Sequence, residues 1–109
     1  PTGVAYDGTN IWVTNQNSNN VTRINAATGT VVGTPITVGT LPRGVAFDGT
    51  NMWVTNSSSN NVTRIDAATG TVVGTPIAVG SNPISVAFDG TNMWVTNNGS
   101  NNVSKVRAG

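Results

Sequence analysis

Gly44-Val45-Ala46-Phe47-Asp48-Gly49-Thr50-Asn51-Met52-Trp53-Val54-Thr55-Asn56 reads as two strands and the turn between them. Val45, Ala46 and Phe47 make a short apolar run, and Met52 to Thr55 make a second one rich in strand-forming residues. Asp48, Gly49, Thr50 and Asn51 supply turn chemistry, with Gly free to adopt positive φ and Asp or Asn able to bond its own backbone. Side chains alternate between the faces of a strand. Val45 and Phe47 therefore share one face and Ala46 takes the other, while Met52 and Val54 oppose Trp53. Both faces are apolar, so both need cover.

Outward from this hairpin, Asn56 to Asn61 is a polar loop and Val62-Thr63-Arg64-Ile65 a third run. Asp66-Ala67-Ala68-Thr69-Gly70 closes that run. A fourth and longer one, Thr71 to Val79, is interrupted at Gly74-Thr75-Pro76. Four short strands result, and no segment shows helical period. Connections this short permit only antiparallel pairing between chain neighbours, an up-and-down meander. The fourth strand fits the outer edge, because Pro35 or Pro76 cannot donate a ladder hydrogen bond.

The unit recurs. Trp12, Trp53 and Trp94 stand forty-one residues apart, as do Pro1, Pro42 and Pro83. The Asp-Gly-Thr-Asn turn occupies 7–10, 48–51 and 89–92, and an Asn-Asn-Val stretch occupies 19–21, 60–62 and 101–103. Residues 1–41 and 42–82 differ at only nine positions, mildly, as Tyr6 against Phe47 or Ile11 against Met52. Residues 83–109 hold three strands of a third unit, with Ile84 and Ser85 where the second has Arg43 and Gly44. A four-stranded meander covered on both faces by copies of itself is a β-propeller blade, and about forty residues is the size expected for one. The chain is thus expected to be all-β, a partial β-propeller of two full blades and three strands of another.

Pro42-Arg43-Gly44-Val45-Ala46-Phe47-Asp48, then Asn51 to Asn56, Asn60 to Asp66, Thr69-Gly70 and Ile77 to Gly80, resemble the NHL and YVTN-type β-propeller repeats. The resemblance spans the chain and implies blades whose strands run from innermost to outermost. It also extends to the virginiamycin B lyase family of propellers. That family relies on His and on a metal-binding acidic residue. This chain has no His and no Glu, so its activity is not carried over.

Composition excludes several functional classes. Only 8% of the residues are charged and the net charge is +1, so no basic patch for a nucleic acid is available. No apolar run reaches the length of a membrane span. With Cys, His and Glu all absent, no nucleophile–base pair, cofactor site or metal cluster is expected. The Asp7, Asp48 and Asp89 turns offer one carboxylate each, too few for a calcium loop, and read as hairpin turns. The three tryptophans read as core between blades. Arg23, Arg64 and Lys105 are expected to lay their stems between blades and to bond neighbouring loops through their heads, with Asp66 nearby. The opening Pro1-Thr2-Gly3-Val4 carries no leader, as in a mature exported protein, so a bacterial and secreted, periplasmic or cell-surface setting is expected. Sequons such as Asn61-Val62-Thr63 follow from the abundance of Asn, Thr and Ser.

In a meander, the loops after each second strand emerge on the same side as the connections between blades. Asn15, Asn17, Asn19, Asn56, Asn60, Asn82, Asn97 and Asn101, with Arg43, are the candidate ligand-binding residues of that side. Amides and hydroxyls suit a neutral polar ligand such as a glycan, or a protein. The first and third units also leave apolar faces bare, so the chain is expected to pair with copies of itself or with further blades. Heterologous contacts close only into rings of whole multiples. Two chains give six blades and three give nine, and propellers commonly hold about four to eight, which favours the dimer. The leading expectation is a non-enzymatic, ring-forming scaffold. The alternatives are a part of a propeller lyase or hydrolase whose catalytic blades lie elsewhere, and a sequence assembled for the study of propeller folding or evolution.

Overall fold

The computed structural model describes residues 1–108 and contains eleven strands in three antiparallel sheets. The first sheet orders β1 (Val4–Tyr6), β2 (Asn10–Asn15), β3 (Asn20–Asn25) and β4 (Val31–Thr37) side by side. The second repeats this with β5 (Pro42–Phe47), β6 (Asn51–Asn56), β7 (Asn61–Asp66) and β8 (Ile77–Ala78). The third holds β9 (Pro83–Phe88), β10 (Asn92–Asn97) and β11 (Asn102–Arg107). Every strand pairs with its chain neighbour, as the short turns demand.

The outermost strands show what proline does to a ladder. β4 runs through Pro35 on a free edge, with a register shift against β3 between Val21 and Arg23. In the second blade the matching stretch, which differs only by Ala78 in place of Thr37, is broken. β8 keeps two paired residues, and an isolated bridge joins Ile65 to Val72. Gly33 and Gly74 take positive φ, 66° and 64°, at the interruption. Arg43, expected from the sequence on the side of the loops and blade connections, lies inside β5.

The sheets stack face to face, and the core lies between them. Trp12 and Val21 of the first sheet meet Met52, Val54 and Ile65 of the second. Trp53 and Val62 of the second meet Met93 and Val95 of the third. One face of each blade therefore presents the indole, and the facing side of the next blade presents the residues that flank its own indole in sequence. Trp12 and Trp53 are fully buried, whereas Trp94 is 41% exposed because no sheet follows the third.

The innermost strands approach more closely than side chains allow. A Cβ on Gly3 would collide with the carbonyl oxygen of Arg43 in the next blade, and a Cβ on Gly44 would stand 2.5 Å from that of Ile84. Thr14 and Thr55 tie the same point. The Thr14 hydroxyl accepts from Gly3 N (2.7 Å) and donates to Arg43 O (2.9 Å). The Thr55 hydroxyl accepts from Gly44 N (2.7 Å) and donates to Ile84 O (3.0 Å).

Removal of the Trp53 indole leaves a cavity walled by two rigid sheets, which collapses poorly. Trp53→Ala is expected to lower the stability of the single, unassociated chain by about 3–5 kcal/mol in urea unfolding, and Trp94→Ala by clearly less. Equal losses at the two positions would contradict the burial difference.

Candidate functional site

At one end of the sheets the Asp turns build a repeated stack. Asp7 Oδ1 accepts from the backbone of Thr9 (2.8 Å) and Asn10 (2.7 Å), and Gly8 turns the chain at φ 97°. Asp7 Oδ2 accepts from the Trp12 indole N–H at 2.8 Å. Arg23 pairs directly across from Trp12 on β3 and lays its guanidinium 5.6 Å from the ring centre. The same geometry recurs in the Asp48–Trp53–Arg64 and Asp89–Trp94–Lys105 sets. Each carboxylate is thus bonded through both oxygens by its own hairpin.

The basic heads differ from the sequence expectation. Arg23 and Arg64 cover the indoles of their own blades, and Arg23 also presses on the backbone of Gly70 in the next blade, where a Cβ would stand 2.7 Å from its Cζ. A planar guanidinium stacks on an aromatic face as readily as it pairs with a carboxylate. Asp66 is occupied locally, its Oδ1 accepting from Ala68 N and Thr69 N.

The Asp–Trp bonds fix the electrostatics. For Asp89, hydrogen bonds from Asn92 N, the Trp94 indole and Thr91 N hold the carboxyl at about 2, below its usual 3.8. For Asp7, partial burial pushes the value up, and the bonds from Asn10 N, Trp12 and Thr9 N outweigh it to leave a lowered value.

At the opposite end lies the asparagine-rich rim. Loop and blade connections do share this side: Asn19 O accepts from Val38 N, and Leu41 O accepts from Ser57 N. Asn56 and Asn97 are buried, and Asn15 is half-buried. Their amide groups clamp the hairpin beneath them. Asn56 Nδ2 donates to Asn61 Oδ1 and Thr63 Oγ1, and Asn56 Oδ1 accepts from Gly39 N of the preceding connection. Asn97 repeats this with Asn102, Ser104 and Gly80 N. Asn15 donates to Asn20 and Thr22.

Asn19 and Asn60 stand at φ 58° and accept through Oδ1 from Leu41 N and Asn82 N. Leu41 and Asn82 themselves hold φ 54°, a left-handed conformation that Asn tolerates better than Leu. Asn17 and Asn101 are solvent-exposed. Arg43 lies on the innermost strand β5, next to Pro42, which pairs with Asn56. There it lines a hollow of about 310 Å³ with Thr2, Val45, Ile84, Ser85 and Val86.

Sequence reasoning missed the threonine ties and the Asp–Trp–Arg stacks. The signal was available in the fixed five-residue spacing from each turn Asp to its Trp and in Thr14, Thr55 and Thr96 two residues beyond each Trp. Among the described residues no group of three metal-ligating carboxylates, His or Cys comes together.

Solved structures share this arrangement. Virginiamycin B lyase from Staphylococcus aureus superposes with a TM-score of 0.82 over 99% of the chain at 17% identity, using 38% of its own length. The computationally designed Ika4 protein gives 0.76 over 97% of the chain at 12% identity and 64% of its own length. The chain is a partial β-propeller. Hydrazine synthase of Kuenenia stuttgartiensis is similar as well, with a TM-score of 0.76 and 26% identity over 98% of the chain and 34% of its own length. The chain thus spans between about a third and two thirds of the proteins it resembles. No family profile matches it, and no curated protein does either.

The lowered carboxyls set a pH dependence. A group depressed in the folded state adds stability that is complete above its unfolded value and disappears as pH falls through its folded value. The thermal midpoint is therefore expected to hold steady above about pH 5 and to fall between about pH 4 and 2. An Asp7→Asn, Asp89→Asn double variant should show a shallower fall when both are followed by tryptophan fluorescence. A midpoint that rises on acidification contradicts the assignment.

Proposed function

We propose that this chain is a non-enzymatic propeller scaffold that completes its ring with copies of itself and offers its loop rim to a protein or glycan. One observation carries the reading: the two outer faces of the chain are the two halves of its own internal joints. The third blade exposes Trp94 and Val103 (41% and 55%), whose counterparts Trp12, Trp53, Val21 and Val62 are fully buried against a following blade. The first blade exposes Val4 and Tyr6 (67% and 57%). Their counterparts Val45 and Phe47 pack on the preceding blade's core. A contiguous apolar face of this kind needs a partner. The face that fits it is present on every copy. Two chains supply six innermost strands, within the common range of about four to eight blades.

The absence of Cys, His and Glu supports a binding role over catalysis, because no residue pair for acid–base or nucleophilic work is present. Exposed amides and hydroxyls on the rim, with little charge, suit a neutral polar partner. A second reading has its own support. The chain covers little more than a third of virginiamycin B lyase and of hydrazine synthase. It would then be one sector of a larger propeller enzyme whose catalytic groups stand on other blades.

Light scattering on the 109-residue chain separates the two. Twice the mass of one chain at micromolar concentration is the expected result, and a folded monomer sends the reading to the larger-enzyme alternative. A glycan array probed with the assembled protein tests the rim, where binding lost in an Asn17→Ala, Asn101→Ala variant is the expected outcome.

A further inference from the structure

Resting on the ring-closure reading above, we infer that the seam between two copies is an internal joint opened near the ring axis by Ser85. The residues that make the internal joints recur at a fixed offset. Thr14 reaches forward to Arg43 O, and Thr55 reaches forward to Ile84 O. Thr96 is the third member of this series. Its hydroxyl accepts from Ser85 N at 3.1 Å and has no acceptor of its own among the described residues. Thr14 and Thr55 are fully buried, whereas Thr96 is exposed. The carbonyl that would stand at the required place, by alignment of Thr2 with Arg43 and Ile84, is that of Thr2 in a second copy. Farther from the axis, Trp94 and Val103 would be covered by Val4, Tyr6 and Ile11 of that copy. Tyr6 stands where the internal joints have Phe47 or Phe88, and Ile11 where they have Met52 or Met93, so the covering face keeps its volume.

The innermost position breaks the pattern. The two internal joints require glycine, because the next blade's carbonyl lies where a Cβ would be: Arg43 O against Gly3, and Ile84 O at 2.5 Å from the Cβ site of Gly44. The third blade carries Ser85 there. Real Cβ atoms do not approach a carbonyl oxygen so closely, and the obstacle on the far side is backbone. The copies must therefore part at this point, which carries the Thr2 carbonyl out of reach of the Thr96 hydroxyl, while the outer contacts of Trp94 close. Thr96 Oγ1 lies 3.1 Å from Ser85 N, against 2.7 Å at both glycines. The ring then contains two kinds of joint. Those within a chain are tight at the axis, and those between chains are hinged open there and weaker.

The test measures self-association of the 109-residue chain and its variants by sedimentation equilibrium. Ser85→Gly restores the internal geometry at the seam and is expected to tighten dimerisation by about tenfold. Thr96→Val added to Ser85→Gly removes the hydroxyl that the restored carbonyl would accept from, and is expected to cancel most of that gain, whereas Thr96→Val alone is expected to leave the affinity of the wild-type dimer nearly unchanged. Gly44→Ser places the same obstruction at an internal joint and is expected to destabilise the fold itself. A dimer whose affinity is unaltered or reduced by Ser85→Gly overturns the seam inference and leaves ring closure standing. A Ser85→Gly dimer insensitive to Thr96→Val overturns it as well, and if Ser85→Gly fails to fold, a wild-type dimer clearly weakened by Thr96→Val overturns it instead. Folded monomers for all variants overturn ring closure and the seam together. A trimer that tightens with Ser85→Gly supports the seam and replaces six blades with nine.

Discussion

A sheet that is apolar on both faces is soluble only when something lies on each of them, and the whole structure follows from how this chain meets that requirement. Each blade covers the indole face of the blade before it and leaves its own indole for the one after. The cover is directional. Trp, Val and the connecting strand present one surface, and Met, Val and Ile present the other, so blades stack in one sense only. Directional stacking of sheets whose innermost strands nearly touch produces rotation about an axis, because the outer strands stand farther apart than the inner ones. The glycines at positions 3 and 44 set how sharply that rotation proceeds, by letting backbone rest on backbone.

Polar chemistry in this molecule serves the same stacking. Asp7 and its counterparts bond both the turn and the indole, which orients the tryptophan ring before the next blade arrives. The arginines then cap the rings from the neighbouring strand. At the other end, the buried asparagine amides fasten the connection between blades to the hairpin below it. Solubility in a chain with so few charges rests on hydroxyls and amides, many of which are drawn inward for these tasks. The rim residues left to a partner are consequently fewer than a count of asparagines suggests.

The architecture was legible in the sequence because the signals are local and repeated three times. The hairpin at Asp48–Asn51, the polar loop at 56–61 and the interruption at Pro76 each appear where the strands place them. Long-range geometry was less legible. Nothing in the local pattern of Arg43 separates a loop residue from the second residue of a strand, since both sit beside a proline. The rim asparagines look alike in sequence, yet Asn56 is sealed inside while Asn17 faces water. That distinction depends on Gly39, a residue of the preceding connection, reaching its side chain. The arginine heads were misplaced because an Asp nearby in sequence is a visible partner, whereas the face of a cross-strand tryptophan is visible only once register is known.

Up-and-down order within each blade has a kinetic consequence. Every ladder joins neighbours in the chain, so each sheet can form from hairpins without closing a long loop, and topologies of this sort are fast to assemble for β proteins. The near-identity of the first two units makes their hairpins equivalent starting points, as in other linear arrays where nucleation is free to occur at any unit and spread. The Thr14 and Thr55 ties each span 29 residues, the longest separation among the side-chain hydrogen bonds of the described residues. Chain-local pairing of this kind suits folding that spreads from unit to unit, and a species with one blade undocked displays the same kind of apolar face as the first and third blades of the single chain. Two such species meeting in a crowded solution would exchange blades as readily as they would add them, so slow dilution favours correct pairing over tangled chains.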